Sequence, residues 1–157
     1  MDWMPRLALL GFGPVENVLG ITVTELTCFK AYDIRGIVGK TLTNNIIKII
    51  GHSIGSEAQA RGLTSIAIGR DGRLSGSELS HSLAEGIQES GINVLDVGMV
   101  ATPMLYFASH FFKADGAIQI TGSHNPKNYN GIKMVINNSS VSGNEILTVT
   151  NIYYCSQ

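Results

Sequence analysis

The stretch Gly116–Pro126, Gly-Ala-Ile-Gln-Ile-Thr-Gly-Ser-His-Asn-Pro, sets the strongest constraint on what this chain can fold into. Its first part, Ala117 to Ile120, is an apolar run of buried-strand length. The run then breaks into small and polar residues and ends in Asn-Pro. Gly122 lets the backbone turn tightly beside Ser123, and Pro126 steers Asn125 away from the helical region. A core strand that stops here presents a hydroxyl and an imidazole, Ser123 and His124, at its C-terminal end. In open α/β sheets that edge is where ligands bind. Lys133 stands ten residues after Ser123, behind the turn signal Asn130-Gly131. A strand returning from that turn would bring the ammonium back toward Ser123.

Upstream of this stretch, helix and strand signals alternate. Thr43 is a good N-cap for a helix running to about Arg61. Ile46, Ile47, Ile50, Ile54 and Ala58 share one face of it, and Gly62 supplies the stop. Ser65–Gly69 reads as a short buried strand, followed by the loop Arg70-Asp71-Gly72-Arg73-Leu74-Ser75-Gly76. Ser77 opens a second helix with Leu79, Leu83 and Ile87 in line, ended by Gly91. Asn93–Gly98 is the next strand. Thr102-Pro103 starts a third helix, proline being suited to its first turn. Its apolar set is Leu105, Tyr106, Ala108 and Phe112. Such alternation predicts an α/β three-layer sandwich with a mixed, mostly parallel sheet, its last strand, Gly131–Ile136, antiparallel.

Composition narrows the partners. Eleven basic against twelve acidic residues leave no basic field for nucleic acid. No apolar run approaches the ~18 residues of a spanning helix, so no membrane partner is expected. Arg6–Leu10 is too short for a span and lacks the flanks of a signal peptide. Cys28 and Cys155 make no disulfide framework and suit a reducing, cytoplasmic setting.

Three ordered motifs carry a resemblance. They are Ala31-Tyr-Asp-Ile-Arg-Gly36, Gly69-Arg-Asp-Gly-Arg-Leu-Ser-Gly76, and Thr121-Gly-Ser-His-Asn-Pro126 with Tyr129-Asn-Gly-Ile-Lys133. Together they resemble the α-D-phosphohexomutase family, in its phosphomannomutase/phosphoglucomutase branch, over about residues 29–136. The resemblance covers the first of that family's four domains. It implies that Ser123 is the phosphoserine and that an oxygen of it ligates Mg²⁺. It implies that His124 binds or orients the reacting groups and that Lys133 is a general acid/base or charge clamp. Arg35 would reach the same site, and Tyr32 and Asn125 would bind substrate. The substrate implied is a hexose phosphate of mannose or glucose, its phosphoryl group moved between C6 and C1 through a bisphosphate.

The residues themselves leave other readings open. Ser123 also suits a turn serine bonded to its own backbone. A hydrolase elbow fits poorly, since residue 121 is Thr and residue 125 is Asn. A phosphoserine of about −2 charge needs cations, and His124, Lys133, Arg35, Arg70 and Arg73 are candidates. The alternating charges of Arg70–Arg73 read mainly as scaffold. Residues 1–28 read as an extension, 29–147 as the domain, and 148–157 as an atypical tail suggesting truncation. The family's Asp-Gly-Asp-x-Asp-Arg metal loop has no counterpart here, so the chain alone is expected to be inactive as a mutase. A non-catalytic phosphate-binding or domain-binding module is the alternative. An apolar face exposed by missing domains is expected to promote self-association.

Overall fold

The computed structural model describes Cys28, residues 33–136 and the backbone of residues 139–140. Tyr32 and the expected terminal extension and tail lie outside the described residues, apart from Cys28, which is buried in the core. Among the described residues six strands and three helices follow one another: β1 (Ile34–Ile37), α1 (Asn44–Ala60), β2 (Ser65–Arg70), α2 (Gly76–Glu89), β3 (Asn93–Met99), α3 (Thr102–Phe111), β4 (Gly116–Ile120), β5 (Tyr129–Ile136) and β6 (Ser139–Ser140).

Local chemistry sets the boundaries. Thr43 caps α1, its hydroxyl accepting the Ile46 N–H at 3.3 Å. Gly62, at φ +75°, ends that helix, and Gly91, at φ +82°, ends the approach to β3. The second helix begins one residue earlier than its sequence suggests. Ser75 sits at its cap position without capping it, because the Ser75 hydroxyl instead accepts from Asn130 Nδ2 at 2.9 Å.

The strands form one mixed sheet in the order β1-β5-β4-β2-β3, with β6 on β5. β2 pairs in parallel with β3 and with β4. β5 is antiparallel to β4, β1 and β6. Crossovers between parallel strands are right-handed. The chain moves from β2 to β3 on one side, then jumps back across β2 to β4. Its crossover helices α2 and α3 therefore fall on opposite faces. Alternate residues of the strands feed two cores. Ile66, Ile68, Ile118, Ile120, Ile132 and Met134 pack with α1 and α2, while Ala67 and Ala117 pack with Leu105 of α3. This is the three-layer arrangement.

Helices α1 and α2 meet backbone to backbone through glycines. A Cβ on Gly51 would lie 2.5 Å from the Leu83 carbonyl oxygen, and one on Gly86 would collide with the Lys48 carbonyl. α3 departs from its expected face. Leu105 and Ala108 are buried, but Tyr106 and Phe112 are exposed. Tyr106 sits about 100° around the helix from Leu105, on its flank. Phe112 is the cap residue beyond the last turn and packs edge-on against Phe111.

Asn130-Gly131 is not a turn. Both residues lie inside β5, opposite Gly36 and Arg35 of β1. The reversal comes earlier, between Thr121 and Asn128. Tertiary packing overrides the local signal. Asn130 is buried and spends its amide on Ser75, and Gly131 lies so close to β1 that a Cβ would meet the Ile34 carbonyl oxygen.

Candidate active site

Strand order reverses at β2, whose neighbours β3 and β4 are reached in opposite directions. That makes a topological switch point, and ligands of open α/β sheets bind in the crevice at the strands' C-terminal ends there. Two loops meet at this place. One follows β2 and runs from Asp71 to Ser75. The other follows β4 and runs from Thr121 to Asn128. The β4 strand that delivers the second loop is buried along its whole length.

Ser123 is exposed at the tip of the second loop, at φ +51°. Non-glycine residues rarely adopt this left-handed region, and it costs about 1–2 kcal/mol. Three local bonds hold the turn around it. Its N–H donates to Thr121 Oγ1 at 2.9 Å. The Asn125 N–H donates to the Gly122 carbonyl at 3.0 Å, and Asn125 Nδ2 donates to the same oxygen at 3.1 Å. Ser123 Oγ lies 3.1 Å from His124 Nδ1, and both side chains face solvent. A hydroxyl within reach of an imidazole can pass a proton to it or accept one.

Arg35 reaches the loop from β1. Its Nη1 donates to the Gly122 carbonyl at 3.2 Å, and Nη2 pairs with Asp33 Oδ2 at 2.6 Å. The arginine is mostly buried, and its Nε has no acceptor among the described residues. The ion pair with Asp33 and the reach to the serine loop are thus both present in one side chain.

Lys133 is exposed on β5, opposite Gln119 of β4. Arg35 stands opposite Gly131, two residues along β5 from Lys133. Residues two apart on a strand share a face, so Arg35 and Lys133 both lie on the α3 side of the sheet. The sheet register thereby gathers Ser123, His124, Asn125 and Arg35 at one loop, with Lys133 farther in along the same face. The structure gives Lys133 no bond to Ser123 among the described residues.

The largest surprise lies in the loop after β2. Arg73 is not available to an incoming phosphate. Its guanidinium donates to the carbonyls of Ser123, Asn125, Pro126 and Tyr129, at 2.6 to 3.2 Å. Asp71 Oδ2 accepts the Gly122 N–H at 3.0 Å. Alternating charge marked these two residues as a scaffold, and Asp71 does pair with Arg73, at 3.4 Å. What the pair holds, a loop fifty residues onward, is a tertiary fact with no local signal. Arg70 turns to Asp96 on β3, at 3.8 Å.

Among the described residues no three His, Cys, Asp or Glu side chains cluster as a metal site. The carboxylate nearest the loop, Asp71, is committed to Gly122 and Arg73. The described residues therefore do not form a complete Mg²⁺ site. They could contribute one ligand, an oxygen of a phosphorylated Ser123.

Comparison with known proteins places this geometry in context. The family model for phosphoglucomutase/phosphomannomutase, alpha/beta/alpha domain I, matches residues 26–153. A phosphoglucomutase of Neisseria meningitidis serogroup B is 54% identical over 124 residues, covering 79% of this chain and 27% of that protein. A phosphomannomutase/phosphoglucomutase of Pseudomonas aeruginosa is 49% identical over 118 residues, covering 75% of this chain and 26% of that protein. The crystal structure of a phosphoglucomutase/phosphomannomutase family protein from Burkholderia thailandensis superposes with a TM-score of 0.78 at 42% identity, over 85% of this chain and 31% of that one. The chain spans about a quarter of the length of the curated relatives it matches.

Proposed function

This chain belongs to the phosphoglucomutase/phosphomannomutase family, and from that premise we propose that it is the phosphoserine-bearing first domain of a hexose-phosphate mutase. Ser123 is its phosphoryl carrier. The observation that carries this reading is the exposed Ser123 Oγ, 3.1 Å from His124 Nδ1 on a loop held in a left-handed turn. It lies at the C-terminal edge of the sheet and is exposed to solvent.

In the proposed step, a hydroxyl of the bound hexose phosphate attacks the phosphorus of phosphorylated Ser123. The new P–O bond to the sugar forms as the P–Oγ bond breaks. The sugar hydroxyl gives up its proton, and Ser123 Oγ regains one. Lys133 is the proposed acid/base or charge clamp on the sugar, and His124 orients the reacting groups beside Ser123. Return of a phosphoryl group from the other end of the bisphosphate restores the phosphoserine. The net result is exchange between the C6 and C1 phosphates of mannose or glucose. Phosphoryl transfer depends mainly on alignment and charge neutralisation. Arg35, pinned at Gly122, brings a guanidinium to the loop with its charge partly offset by Asp33, and Asn125 and Tyr32 are the proposed substrate contacts. The Mg²⁺ expected by resemblance would supply further charge neutralisation when bound.

With one candidate metal ligand, an oxygen of phosphorylated Ser123, residues 1–157 by themselves are expected to turn over poorly. Remote binding of substrate is worth several kcal/mol to the transition state. The alternative role, a module that binds phosphate without covalent transfer, is separated by one experiment. The full chain is incubated with glucose 1,6-bisphosphate and mapped by peptide mass spectrometry. A phosphoryl group on Ser123, absent in Ser123→Ala, supports the carrier reading. Binding of the sugar bisphosphate with Ser123 unmodified overturns it in favour of the module.

A further inference from the structure

The serine loop is held from beneath by the loop after β2, and the bonds have a consistent sense. Asp71 accepts the Gly122 N–H and, through Oδ1, the Arg73 N–H at 3.0 Å. The Asp71 N–H donates to the Ile120 carbonyl at 2.9 Å, which ties the two loops at their roots. The Arg73 fork carries five N–H donors. Four meet loop carbonyls, Nη1 those of Pro126 at 2.6 Å and Tyr129 at 2.9 Å, Nη2 those of Asn125 at 2.7 Å and Ser123 at 3.2 Å. The fifth, on Nε, faces Asp71. Gly122 lies against the fork, where a Cβ would collide with Arg73 Cζ and Nε.

The peptide geometry then fixes what the outer side of the loop offers. A trans peptide points its C=O and N–H in opposite directions, and the described residues contain no cis bond. The carbonyls of Ser123 and Pro126 face Arg73. The N–H groups of His124 and Lys127 therefore face away from it, and neither has an acceptor among the described residues. We propose that Arg73 is the positioning residue of this site. With Asp71 it draws the loop carbonyls inward, holds Ser123 in its left-handed conformation before any ligand arrives, and turns the His124 and Lys127 amides outward to donate to an anion beside Ser123. The phosphoryl identity of that anion rests on the carrier reading of Ser123, whereas the clamp does not.

The test uses the full ¹⁵N-labelled chain with Arg73→Gln and Arg73→Lys. Amide hydrogen exchange is followed at Gly122 and Asn125 in the loop and at Ile118 and Ile132 in the core. The expected result is exchange about tenfold faster at the loop amides in Arg73→Gln, with core amides unchanged. Arg73→Lys should restore little, because one ammonium cannot face four carbonyls in a fixed fork. Inorganic phosphate should shift the His124 and Lys127 amides in the parent chain and not in Arg73→Gln. Wild-type loop exchange in Arg73→Gln overturns the clamp. So does equal acceleration of core and loop, which would make Arg73 only a contributor to global stability. Absence of phosphate shifts in the parent chain overturns the outward-donor part. Unphosphorylated Ser123 after bisphosphate treatment, with the loop effects intact, would instead overturn the carrier reading and leave the clamp standing.

Discussion

Gly131→Ala is the sharpest probe of how the fold serves the site. Gly131 lies in β5 against the edge strand β1, opposite Arg35. An added Cβ would meet the Ile34 carbonyl oxygen and come within 3.3 Å of the Arg35 Cα. These are backbone atoms, so no side-chain rotation relieves the clash. The two strands must separate by roughly 1 Å to regain van der Waals contact. Such overpacking costs about 1–3 kcal/mol. Separation also weakens the β1–β5 ladder at about 1 kcal/mol per hydrogen bond, and it loosens the fully buried Ile34. Alanine returns about 0.5–1 kcal/mol by being less flexible than glycine when unfolded. The net expectation is a loss of about 2–4 kcal/mol, against a typical total of about 5–15 kcal/mol. The domain should stay folded with β1 displaced and Arg35 drawn off the Gly122 carbonyl. Urea unfolding followed by circular dichroism measures the first effect. The Arg35 side-chain resonances measure the second. A change below about 0.5 kcal/mol with unaltered Arg35 resonances would show that β1 does not depend on this close approach.

Two further outcomes are expected. Asp115 Oδ2 accepts from the N–H groups of Thr64 at 2.8 Å and Ser65 at 3.1 Å and from the Thr64 hydroxyl at 3.1 Å, and these bonds, the Thr64 N–H first, hold its carboxyl below the usual carboxylate range. A depressed folded value means stability that is present above the unfolded pKa of about 3.9 and lost as pH falls through the folded one. Asp115→Ala should therefore cost about 1–2 kcal/mol at neutral pH, and its gap from the parent chain should shrink below about pH 4; a gap independent of pH would refute the assignment. Phe107 and Phe111 are 69% and 65% exposed and stack on each other at 5.8 Å. Replacing both with Ser should reduce self-association in sedimentation velocity without lowering the urea midpoint, and a parent chain that stays monomeric at high concentration would contradict the idea that this face is sticky.

Much of the fold was legible because its signals are local. The Thr43 hydroxyl, the isoleucine spacing of α1 and the glycine after Arg61 act within one or two turns of helix. The apolar run before Ser123 is a strand for the same reason. Where the reading failed, a distant segment had changed the local balance. Asn130-Gly131 became strand because Ser75 takes the Asn130 amide and β1 needs the space above Gly131. Tyr106 and Phe112 stayed exposed because the sheet covers only the Leu105–Ala108 side of α3. The second helix, expected to open at Ser77, begins at Gly76 instead.

The site divides along the same line. Sequence alone determined which chemistry is carried: a serine and a histidine side by side after a buried strand, with an arginine and a lysine in flanking motifs. Those groups are covalent facts, and the buried strand is a local consequence of hydrophobic patterning. Only the tertiary structure decided how the cations are used. The reversal of strand order at β2 brings the Asp71–Ser75 loop beneath the serine loop. There Arg73 loses its freedom to four carbonyls, while Arg35 arrives from an edge strand 87 residues away in sequence to meet Gly122. A guanidinium answers to whichever acceptors surround it in space, and the carbonyls that Arg73 and Arg35 meet here belong to a loop far along the sequence, beside their local partners Asp71 and Asp33.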